Sequence, residues 1–90
     1  MKKMNEFKIH KIRKSEKYYI TYDGHKVTMK YIPKMIPKVT MEILTIFHEC
    51  NGKINNAISG RLIEFPTKED AQNAADKLLG KIVADKLFEE

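Results

Sequence analysis

Three histidines, one cysteine and a set of lysines are the residues of this 90-residue chain whose types could do chemistry. His48 and Cys50 stand two apart in a stretch of helical periodicity, so they point to different faces. Their spacing is neither Cys-x-x-Cys nor His-x-x-x-His, and no metal site is expected. A nucleophilic Cys50 would need a basic, partly open setting and a base within reach. Its place on an apolar stripe predicts a small buried hydrophobe instead. His48 and Glu49 are adjacent and splay around the helix, which makes a poor acid–base pair. The four glycines are isolated, so no loop is built to cradle phosphate. Neither catalytic residues nor a cofactor are expected, and the chain reads as a binding protein rather than an enzyme.

The lysines are the remaining signal. Lys+Arg number 17 against 12 Asp+Glu, a formal charge of +5, and the excess is uneven: residues 1–38 hold 11 basic and 3 acidic residues, residues 39–90 hold 6 and 9. Such a bias favours an anionic partner for the first part of the chain. A single cysteine excludes an internal disulfide. No apolar run approaches the roughly 20 residues of a bilayer span. Met1-Lys2-Lys3 is not followed by the apolar stretch of a signal peptide, so a cytoplasmic location is expected.

The lysines must be positioned by the elements around them. Asp23-Gly24 takes the positive φ angles of a type I′ turn and lies between two stretches rich in aromatic and β-branched residues, 17–22 and 26–32, which predicts a hairpin. Phe7 to Arg13 alternates as a further strand, turning back through Lys14-Ser15. A two-residue loop sets Tyr22 opposite His25, Thr21 opposite Lys26, Ile20 opposite Val27, Tyr19 opposite Thr28, Tyr18 opposite Met29 and Lys17 opposite Lys30. With two or four residues in the first loop, Ile9 meets Ile20 and Phe7 meets Tyr22. Tyr18, Ile20, Val27 and Met29 then face the core with Phe7 and Ile9. The other face carries Lys8, His10, Ile12, Lys17, Tyr19, Thr21, Lys26, Thr28 and Lys30, without an acid.

Pro33 and Pro37 bound a connector over 33–38, in which Met35 and Ile36 either tuck under the core or offer an apolar contact to a partner. From about Val39 a helical stripe runs through Ile43, Ile46, Phe47 and Cys50 to a stop at Asn51-Gly52. Ala57-Ile58 and Arg61–Phe65 read as a strand region. Thr67 caps a second helix whose stripe is Ala71, Ala74, Ala75, Leu78 and Leu79. Helix is expected to continue past Gly80, with an edge strand over 81–87 as the alternative. The expected fold is an α+β two-layer sandwich of order β-β-β-α-β-α. It is a single domain over 1–90, with residues 1–5 open to disorder and a small antiparallel sheet carrying both helices on one face.

Residues 60–79, through Ile63-Glu64-Phe65 and Glu69-Asp70-Ala71, resemble the third strand and second helix of an RNA-recognition motif. Gly60 and Leu62 stand where that family places its stacking aromatics, so no site residue carries over. The expected interface is therefore Lys8, His10, Lys17, Tyr19, Lys26, Thr28 and Lys30, taking the phosphates of a nucleic acid while Tyr19 stacks on a base. The alternative is a protein-interaction module, such as a small phage or mobile-element inhibitor, docking by this face or by Met35-Ile36 on an acidic or nucleic-acid-handling protein. A homodimer is a further partner to consider; a membrane is not expected.

Overall fold

The computed structural model describes residues 6–32, 40–54 and 61–87. Strands β1 (Phe7–Lys11), β2 (Tyr18–Tyr22) and β3 (His25–Lys26) form an antiparallel sheet in that order, followed by helices α1 (Thr40–Glu49) and α2 (Lys68–Leu87). The arrangement is α+β, as expected. Among the described residues, no helix is long and apolar enough to cross a membrane.

The hairpin forms for the local reason that predicts it. Asp23 and Gly24 have φ of 52° and 83°, the two left-handed positions of a type I′ turn. Tyr22 pairs with His25, Thr21 with Lys26, and the Val27 amide donates to the Ile20 carbonyl at 3.0 Å. On the other edge of β2, Phe7 pairs with Tyr22 and Ile9 with Ile20, across a four-residue loop closed by the Ile12 amide donating to Lys17 at 2.8 Å.

The third strand is much shorter than its composition predicts. Beyond Val27 the chain turns: the amides of Tyr31 and Ile32 both donate to the Thr28 carbonyl, and the Thr28 hydroxyl accepts from Tyr31 at 3.1 Å. Thr28 forms a bridge with Leu62, not with Tyr19. The place beside Tyr18 goes to Phe65, which exchanges two backbone hydrogen bonds with it at 2.9 and 2.8 Å. Residues 61–65 thus extend the sheet where Met29 and Lys30 were expected. This arrangement encloses Ile63 and Phe65 almost completely, and the turn buries Ile32 as fully, while Met29 is half-buried.

One core joins the sheet to both helices. It gathers Ile20, Tyr22 and Val27 from the sheet, Ile43, Ile46, Phe47 and Cys50 from α1, Ile63 and Phe65, and Ala71, Ala74, Ala75, Leu78 and Ile82 from α2. Phe7, Ile9, Tyr18 and Met29 pack against it. The alanines of α2 let that helix lie close over β1 and β2. Leu79, expected in this stripe, sits at its margin and is 37% exposed, while Ile82 continues the buried line at the 3.6-residue period. Helix runs through Gly80, so the edge-strand alternative for 81–87 is not adopted.

Each helix is ended or begun by its own local chemistry. The Thr67 hydroxyl accepts from the Asp70 amide at 3.0 Å, with Glu69 and Asp70 beside the positive helix end. At the end of α1, Asn51 takes φ of 63°, its amide donates to His48, and the Gly52 amide donates to Phe47 at 2.7 Å. This is a Schellman motif with Asn in the left-handed position. It sends Lys53 into an antiparallel bridge with Glu64. Val39, Met35, Ile36 and the strand proposed at Ala57-Ile58 lie outside the described residues.

Candidate nucleic-acid interface

The register places Lys8, His10, Tyr19, Thr21 and Lys26 together on the sheet face turned away from the core. His10 is opposite Tyr19, and their rings stack at 5.0 Å with 23° between planes. The His10 Nε2 lies 2.9 Å from the Thr21 hydroxyl, which holds the imidazole flat on the sheet. Lys26 reaches back from β3 so that its ammonium stands 5.6 Å from the Tyr19 ring centroid. Such a cation–π contact at an exposed site contributes about 0.5–1 kcal/mol. Lys8 and Lys26 are exposed, and neither forms an ion pair with a described residue. Thr21, under these side chains, is only 8% exposed.

Two of the expected lysines are placed differently. Lys17 does not face Lys30, because the strand that would carry Lys30 is a turn, and Lys30 is exposed outside the ladder. Lys17 instead lies 3.8 Å from the Glu64 carboxylate. Thr28 is held by its turn and by the bridge to Leu62 rather than displayed beside Tyr19. The acid-free face of the sequence reading therefore gains Glu64, and it also gains Lys53, the bridge partner of Glu64. Neither was legible, because only the long-range docking of residues 61–65 against Tyr18 and Thr28, and of Lys53 against Glu64, brings them here. Alternation alone carries a hint: with Ile63 and Phe65 inward, Leu62 and Glu64 must face outward.

Lys17, Asn51, Lys53, Glu64 and Pro66 line an open hollow of about 320 Å³ at this end of the sheet. Elsewhere, Cys50 is buried, and burial raises its thiol pKa, the nearby Lys77 countering this and Asp70 and Glu49 adding to it. That setting disfavours a thiolate nucleophile. His48 is exposed. Among the described residues, no three metal-ligating side chains come together. The helices turn carboxylates outward, and Glu49 and Glu42 of α1 pair with Lys77 and Lys81 of α2. The chain matches no family model, no curated protein and no solved structure. The resemblance of residues 60–79 to an RNA-recognition motif thus stays a local likeness of strand and helix.

Proposed function

We propose that this chain is a small non-enzymatic binding domain that takes single-stranded nucleic acid along the outer face of its sheet. The observation that carries the reading is the placement of Lys8 and Lys26, both exposed and without a carboxylate partner among the described residues, in the cross-strand row next to the stacked His10–Tyr19 pair. Ammonium groups neutralise phosphates and release counterions, and flat rings beside them suit unstacked bases. A phosphate is a stronger partner for Lys26 than the Tyr19 ring, so Lys26 can swing aside and open that ring to a base. A duplex is less well served, because Lys77 and Lys81 on the helices are already paired with Glu49 and Glu42, which leaves no run of unpaired cations for a groove-reading helix among the described residues.

Fluorescence anisotropy with a labelled oligothymidine tests this. Four phosphate contacts, one each from Lys8, Lys17, Lys26 and Lys53, give a fall of log K with log salt at a slope of about −2.8, or about fiftyfold weaker binding between 50 and 200 mM salt. Lys8→Glu with Lys26→Glu is expected to abolish binding. Absence of any binding by the unaltered protein at low salt would overturn the reading. One observation favours the alternative, a protein-interaction module docking by the same face: His10 and Lys26 both lie against Tyr19, so its ring is covered until Lys26 moves.

A further inference from the structure

We infer that the hollow at the end of the sheet reads one guanine of a bound strand through Glu64 and Lys17, a step that rests on the nucleic-acid reading above and sharpens it. The hollow, at about 320 Å³, falls at the small end of the size range of ligand sites, about 300–1,000 Å³. Three separate segments build it: the turn after α1, the start of β2, and residues 64–66. Their relative placement is held by backbone. Lys53 donates to Glu64 at 2.7 Å and accepts from it at 3.3 Å, while Phe65 is bonded to Tyr18 on the neighbouring strand.

Glu64 is the informative residue. Its neighbours Ile63 and Phe65 point into the core, so its carboxylate projects to the outer face, 36% exposed. Its contact with the Lys17 ammonium, at 3.8 Å, is longer than a hydrogen bond, and it makes no side-chain hydrogen bond to a described residue. An ionised carboxylate can accept at about four lone-pair sites. Acceptor capacity is therefore left over beside a cation, over a bed made by the Pro66 ring and the alkyl stems of the lysines.

That pattern complements one base edge best. Guanine presents two adjacent donors, N1–H and the N2 amine, to the two carboxylate oxygens, and an acceptor, O6, toward the Lys17 ammonium. Thymine and uracil bring two carbonyl oxygens against the carboxylate and are repelled. Adenine and cytosine offer one amine beside a ring-nitrogen acceptor. Single-stranded bases are read at this edge when splayed from the stack. Lys17 is two residues from Tyr19 on β2, about 6.6 Å away on the same face, so the hollow continues the path of a strand lying over His10 and Tyr19.

The test compares oligothymidine with the same strand carrying a single guanine, bound to the unaltered protein, to Glu64→Gln, and to the Lys8→Glu, Lys26→Glu double variant. The guanine strand is expected to bind about tenfold more tightly. Glu64→Gln should remove that preference and tighten oligothymidine binding, because a negative charge has left the side of Lys17 and Lys53. A loss for one strand without a loss for the other also shows that the variant is folded. Equal binding of the two strands by the unaltered protein, or an equal loss of both in Glu64→Gln, overturns the inference. In that case loss of binding in the double variant still upholds the nucleic-acid reading. Failure of the unaltered protein to bind either strand overturns both.

Discussion

Gly52 is the position where the structure makes the least forgiving demand. A Cβ built there would stand 2.8 Å from Cε2 and 3.1 Å from Cζ of Phe65, and 3.3 Å from Cγ2 of Ile63. The Phe65 ring cannot easily give way, since it is fully enclosed and meets Phe47 edge-on at a centroid distance of 5.9 Å. Carbon pairs prefer about 3.5–4.0 Å, so ring and turn must part by close to 1 Å. Overpacking of this kind costs about 1–3 kcal/mol, partly offset by about 0.4–1 kcal/mol from the stiffer unfolded chain of an alanine. Gly52 has no positive φ, so the clash acts without backbone strain.

Gly80 is the matched comparison. It lies inside α2 with open space where a Cβ would be, and alanine there should stabilise by about 0.5–1 kcal/mol. Urea denaturation followed by circular dichroism reads both. With a slope near 1 kcal/mol per molar, Gly52→Ala should lower the midpoint by about 0.5–2 M and Gly80→Ala should raise it by about 0.5–1 M. A Gly52→Ala protein as stable as the parent would refute the close approach of the α1 turn to Phe65. The placement of Lys53 beside Glu64 would then lose its support.

Thr67→Ala removes the hydroxyl that accepts from the Asp70 amide and is expected to destabilise by about 1 kcal/mol in the same assay, with Thr67→Ser close to neutral. Burial, with Asp23 nearby, raises the pKa of Tyr22 and Tyr31 above the ordinary 10.0, so the folded state holds these phenolic protons longer than the unfolded chain does. The stability this represents is complete below pH 10 and is lost as pH rises through the folded values; alkaline denaturation monitored by tyrosine ultraviolet absorbance should show it, and stability constant across that range would contradict it.

Much of this protein is local, and local features are legible in residue order. Asp23-Gly24 needs no distant partner to turn, and once it turns, the alternation of 18–22 and 26–27 assigns each side chain to a face. The same holds for Phe7 and Ile9 across the first loop, for the cap at Thr67, and for the stop at Asn51-Gly52. These features suffice for the α+β class and for the cluster of Lys8, His10, Tyr19 and Lys26. What stayed hidden involves a choice between segments far apart in the chain. Residues 28–32 and residues 61–65 both have strand composition, and only one can lie beside Tyr18. Ile63 and Phe65 take that place and are fully enclosed there, while the turn at Thr28 satisfies the displaced backbone and still buries Ile32. That single competition sends Lys30 off the sheet and sets Glu64 against Lys17. With the turn after α1 adding Lys53, it also makes the hollow beside them.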